Sequence, residues 1–196
     1  DTYKAAVLSG NGASLTHSLL AKKQPVNIAG ALPFVLADIG DAGQLRGGDM
    51  HPVLTLLQIW VDPADPLNFA RVIGAAPETG KAPKHIFQTY GIGDTYSPAK
   101  TLAAFVLTAG LELATHDASA KDPEMIGDPP GLAQKALPLA GNVKVGTASV
   151  TLGVRQYGPP SGNDGHFVAL DVPSAMADIA RFLGMAAEGA VPQIGN

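Results

Sequence analysis

With 196 residues, 46% of them apolar and 15% charged, the chain can bury one core but is short for two ordinary domains, and its composition excludes broad disorder and a coiled coil. A net charge of −4, with no basic run longer than Lys22-Lys23, leaves no footprint for nucleic acid or an anionic membrane surface. The absence of cysteine excludes disulfides, thiolate metal sites and cysteine nucleophiles, and every apolar stretch is broken well short of the roughly 18 residues a bilayer span requires.

The apolar run Ala5-Ala6-Val7-Leu8 predicts a strand over 3–8 that enters the loop Ser9-Gly10-Asn11-Gly12. The start, Asp1-Thr2-Tyr3-Lys4, lacks the basic and apolar pattern of a signal peptide, and none is expected in these residues. A strand so close to it leads us to expect a chain cut from something longer. Leu15, Leu19 and Leu20 at helical spacing predict a helix over 13–23. Residues 15–84 hold helical pieces and no strong strand, the best helix being 51–60, stopped by Asp62-Pro63-Ala64-Asp65-Pro66. We read 15–80 as an insertion, a helical cap over a site. A strand over 85–90 follows, then Gly91-Ile92-Gly93-Asp94 and the helix start Ser97-Pro98, which predicts a helix over 98–113.

A second insertion, 116–140, is rich in Asp, Pro and Gly, with a hairpin expected through Gly141-Asn142 before a third strand over 150–157. Beyond a Gly/Pro/Ser/Asn loop lie Asp164-Gly165-His166-Phe167 and an amphipathic helix over 173–185, striped by Met176, Ile179, Ala180 and Leu183. Strand, loop and helix recur, so we expect an α/β architecture with parallel strands and right-handed crossovers.

Asp94 and His166 each follow a predicted strand, where open parallel sheets build their sites. Alone, Asp94 reads equally well as a helix cap and His166 as a surface histidine. Together they supply two members of an acyl-transfer triad, a carboxylate that orients an imidazole and an imidazole that takes a proton from a hydroxyl. The remaining histidines carry less: His17 packs on a helix, His51 opens a helix, His85 opens a strand and His116 ends a helix. Asp62 and Asp65 read as helix punctuation rather than cation ligands. Asp122, Glu124 and Asp128 lack the alternating spacing of a calcium loop, and no metal site is expected. Glycines 10, 12, 91 and 93 lack the dinucleotide fingerprint, so no cofactor is expected. Leu54, Leu57 and Trp60, with Phe69, are candidates to line an acyl pocket, although packing against the core explains them as well.

The stretches HIFQTYGIGDTYSPAKT and NDGHFVALDVPSAMADIARFL resemble the acid-bearing and histidine-bearing segments of the α/β-hydrolase family, and YKAAVLSGNGASL resembles the strand that leads into their cap. The resemblance implies an esterase or lipase type of serine hydrolase acting on a small-molecule ester, with His166 as general base and acid and Asp94 fixing its tautomer. One departure matters: no Gly-x-Ser-x-Gly occurs. Ser14, in Gly12-Ala13-Ser14-Leu15-Thr16, has the required order before Asp94 and His166 but has too little chain ahead of it, so we read it as a helix cap. The nucleophile and oxyanion-hole donors are then expected from an N-terminal remainder of the same hydrolase, upstream of residue 1. The chain would hold a partial hydrolase sheet with an unpaired first edge. Family analogy, low charge and Gly/Pro-rich loops suggest a secreted or periplasmic bacterial protein. The competing reading is a non-catalytic α/β binding or interaction domain in which Asp94 and His166 are structural. The separation of their side chains distinguishes the two.

Overall fold

Residues 3–37, 39–40, 44–115 and 132–196 are described in the computed structural model of the protein. Strand β1 (Ala5–Ser9) leads into helices α1 (Leu15–Ala21), α2 (Ile28–Val35), α3 (Pro52–Val61) and α4 (Ala70–Ile73), and the chain then returns as β2 (His85–Gly91). Helix α5 (Ala99–Ala109) is followed by β3 (Glu112–Thr115), β4 (Gln134–Ala136), β5 (Leu139–Ala140), β6 (Val143–Val145), β7 (Ala148–Val150) and β8 (Leu152–Tyr157). Helices α6 (Val168–Asp171) and α7 (Pro173–Ala187) and strand β9 (Gln193–Ile194) complete the order.

Five of these strands form one parallel sheet in the order β1-β2-β8-β3-β4. The architecture is therefore α/β, as expected, with two strands more than the sequence suggested. Strand β2 sits between β1 and β8, pairing Phe87 with Val7 on one side and with Gly153 on the other. Its run from Ile86 to Gly91 is wholly buried, as expected of a central parallel strand, even though it includes the polar Gln88 and Thr89. One face carries Ile86, Leu152 and Val154 under Leu102, Phe105 and Val106 of α5. The other carries Phe87 under Phe182 of α7, the two rings 5.5 Å apart. Segments α1 to α3 make a separate small core of Leu32, Leu45 and Leu54. Strand β1 is an edge of the sheet, with Ala5 to Leu8 half-buried and Ser9 exposed.

Three expectations are corrected. The helix expected over 98–113 stops at Ala109, because Gly110 takes a left-handed conformation (φ 72°) that closes the helix; residues 112–115 then add to the sheet as β3. The hairpin turns at 146–147, between β6 and β7, not at Gly141-Asn142. Asn142 instead clamps the start of β8, accepting from Leu152 N at 3.0 Å and donating to Glu112 Oε2 at 2.7 Å. The expected insertion over 116–140 contributes β4 and β5 to pairing, and its residues 116–131 lie outside those described. No described helix is long and apolar enough to cross a membrane.

Helix α7 is held on the sheet by charge as well as by packing. The nearly buried Asp178 receives Arg155 and the Tyr157 hydroxyl (2.6 Å) on one carboxylate oxygen and Arg181 (3.1 Å) on the other. Burial first, and then the neighbouring Asp178 charge, push the Tyr157 hydroxyl pKa up and keep it a donor. Removing the carboxylate takes the Asp178 charge away from the Arg155 guanidinium at a site only 13% exposed. Asp178→Ala is therefore expected to cost about 3 kcal/mol in urea unfolding, whereas a loss below about 1 kcal/mol would mark the pair as a screened surface contact.

Candidate active site

The site forms where the C-terminal ends of β1, β2 and β8 meet. Beyond β2 the chain turns through Gly93 (φ 76°), and Asp94 becomes the start of the next turn, its Oδ1 accepting from Tyr96 N at 2.8 Å and Ser97 N at 2.7 Å. Beyond β8, Asp164 does the same for the turn Gly165–Phe167, accepting from His166 N at 2.9 Å. The same carboxylate ties the two loops together, because it also receives Thr95 N at 3.2 Å and Thr95 Oγ1 at 2.5 Å. The loops touch backbone to backbone: a Cβ on Gly165 would lie 2.5 Å from the Gly91 carbonyl oxygen, and one on Gly91 would collide with the Gly165 carbonyl. Only glycine at both positions allows this approach.

The approach brings His166 Nδ1 to 3.2 Å from Asp94 Oδ2. An ionised carboxylate only accepts, so the bond puts the proton on Nδ1 and leaves the Nε2 lone pair available. The imidazole is fixed on its other sides by Tyr96, stacked at 4.6 Å and 22°, and by the edge of Phe167 at 5.1 Å. Gly10, at the end of β1 with φ 62°, lies directly under the ring, where any Cβ would strike it. Ser97 Oγ donates to the Gly10 carbonyl at 2.6 Å and locks that strand end to the acid loop. Nε2 has no hydrogen-bond partner among the described residues, and the side chain is 25% exposed. A positioned base with an open nitrogen can take a proton from a bound hydroxyl.

Burial raises the Asp94 carboxyl pKa, and bonds from Ser97, His166 and Tyr96 offset only part of that. Asp164 behaves oppositely: burial acts upward, but the Thr95 hydroxyl and the amides of His166 and Thr95 outweigh it and hold the group below the usual range.

The structure brings together Asp94 and His166 and leaves the other candidates apart. Ser14 caps α1, its Oγ accepting from His17 N at 3.4 Å, with a strained left-handed φ of 68°. No described hydroxyl bonds to His166 Nε2. Leu54, Leu57 and Trp60 do not line the cleft. Leu54 is fully buried in the small core with Leu57 packed on it, and Trp60 is 80% exposed on the outer side of α3; helical spacing alone could not say which side of α3 the core would claim. His51 accepts from Val53 N and His85 from Thr151 N, both structural, and Asp65 caps two turns. His116, Asp122, Glu124 and Asp128 lie outside the described residues. Sequence reasoning missed Gly10, Tyr96 and Asp164. The Asp-Gly-His order was a capping signal for Asp164, whereas nothing local announced the other two.

No protein-family model matches the chain, and no curated protein or solved structure matches it.

Because the Asp94 pKa is raised in the fold, ionising the group costs more there than in the unfolded chain. Its burial costs nothing below the model-peptide value of 3.8 and costs progressively more as pH rises through the folded value. Chemical denaturation of wild type and Asp94→Asn from pH 3.5 upward should show wild type losing ground to the variant as pH rises through that window. A difference that stays flat would refute the assigned direction.

Proposed function

We propose that this chain carries the acid and the base of a serine-type carboxylic ester hydrolase. The single observation that carries this reading is the 3.2 Å contact from Asp94 Oδ2 to His166 Nδ1, with Nε2 left open. In the reaction Nε2 takes the proton of a serine hydroxyl as its oxygen attacks the ester carbonyl, and Asp94 stabilises the imidazolium that results. The same proton then passes to the departing alkoxide, and water repeats the cycle on the acyl-enzyme.

The sheet is read as the last strands of an α/β-hydrolase, with α1 to α4 as its cap. Nucleophile and oxyanion donors are assigned to chain preceding residue 1 and placed along β1. Three observations support that assignment: β1 is a sheet edge, its end touches the His166 ring, and no described hydroxyl engages Nε2. The alternative, a binding domain in which both residues are structural, draws on the capping bonds of Asp94. Those bonds occupy Oδ1 alone, and a cap has no need of an imidazole on Oδ2.

In the full-length protein, His166→Ala and Asp94→Ala are each expected to lower turnover of a p-nitrophenyl ester by about 10⁴-fold, the loss typical of triads. Full activity in either variant rejects the reading.

A further inference from the structure

Beside the Asp94–His166 pair lies a cavity of about 300 Å³ between α1, the segment 61–66 and the acid loop, with Tyr96 and Ser97 as the wall nearest the imidazole. We infer that this cavity is an anion subsite, in which Lys22 and Ser18 hold the carboxylate of a short ester that bears an acid at its far end. The catalytic half of that statement rests on the ester-hydrolase reading; the binding half does not.

Lys22 directly follows the last turn of α1, four positions beyond Ser18, and both residues line the cavity. Its position relative to the acid loop is set by the two amides that follow: Lys23 N and Gln24 N both donate to the Thr95 carbonyl, at 3.0 and 3.2 Å. Among the described residues the Lys22 ammonium has no ion pair or hydrogen bond, and neither does the Ser18 hydroxyl.

Three other polar side chains of the cavity are committed. Ser97 Oγ donates to Gly10 O at 2.6 Å and Thr101 Oγ1 to Pro98 O at 2.7 Å. Asp65, the acidic residue of the lining, is buried and accepts from Ser14 N, Leu15 N, Leu67 N and Gln58 Nε2, all at 2.9–3.1 Å. Its negative charge is thus spread over four donors, and what remains unanswered in the cavity is positive. A carboxylate meets that demand, receiving a charge-assisted bond from Lys22 and a second bond from Ser18. Leu15, Val61, Ala64 and Pro66 supply apolar wall for a methylene chain between the acid and the ester. A cavity of about 300 Å³ lies at the small end of ligand pockets, which suits a short chain.

The test uses the full-length protein with monomethyl glutarate and methyl butyrate as substrates, together with titration of free glutarate followed by NMR. Wild type should prefer the anionic ester. Lys22→Met should lower the ratio of the two kcat/KM values about tenfold, through KM, the scale expected for one charge-assisted contact. Lys22→Arg should restore the ratio, and Ser18→Ala should reduce it in the same direction. Glutarate binding should weaken by a similar factor in Lys22→Met. Turnover of both esters with a ratio that Lys22→Met leaves unmoved overturns the subsite and leaves the hydrolase reading in place. Lys22-dependent glutarate binding without turnover of either ester does the reverse. Glutarate binding that is equal in wild type and Lys22→Met also overturns the subsite.

Discussion

Everything at the site follows from one steric permission, the backbone contact between Gly91 and Gly165. Two peptide planes can come this close only where neither residue has a Cβ. Because they do, the turn after β8 settles onto the end of β2, and a carboxylate and an imidazole 72 positions apart in the chain come within hydrogen-bond reach. Asp164 then bolts the contact from outside through Thr95. The geometry is carried by backbone and by short, stiff side chains, which is the form of support that holds reacting groups to a fraction of an ångström.

Among the described residues three carboxylates are buried, and the comparison shows what distinguishes Asp94. Asp178 meets two guanidinium groups and a hydroxyl, so its charge is fully answered and it holds α7 in place. Asp65 is answered by backbone and amide donors, and its pKa falls although burial opposes this. Asp94 receives two amides and an imidazole, yet burial still dominates and its pKa rises. A buried charge left short of full compensation costs stability. The fold thus keeps its structural acids satisfied and leaves the remaining one under electrostatic demand.

The helical segment between β1 and β2 serves the site through its inner side. Its own core is small, and α3 turns Leu56, Ile59 and Trp60 outward, so its packing does not explain its composition. What it presents inward is the base of α1, held against Thr95, with Ser18 and Lys22 facing the cavity. The acid loop is in this way shared: one of its sides positions the imidazole and the other lines the cavity.

Much of this was legible along the chain. Strands ending in glycine-rich loops and the helices after them appeared near where the pattern put them, and Asp94 met His166 as their shared place at strand ends suggested. Two details are corrected: Ser97 does not cap α5, whose N-cap is Pro98, because its hydroxyl is spent on the Gly10 carbonyl, and the expected stripe of α7 is turned outward at Met176, Ala180 and Leu183 while Ala175, Asp178, Phe182 and Ala186 are buried. Strands β3 and β4 were illegible because residues 112–115 and 134–136 are held by neighbouring strands and not by their own propensity. Leu54, Leu57 and Trp60 were misplaced because periodicity marks a helix as apolar without saying which side the core will take. The amino-acid order by itself determined the α/β alternation and the chemical types available at the strand ends, since those depend on spacing and side-chain identity. Only the tertiary structure decided that Gly10, Tyr96 and Asp164 surround the imidazole and that Lys22 faces the cavity beside it, because contacts between residues far apart in the chain are set by how the layers pack.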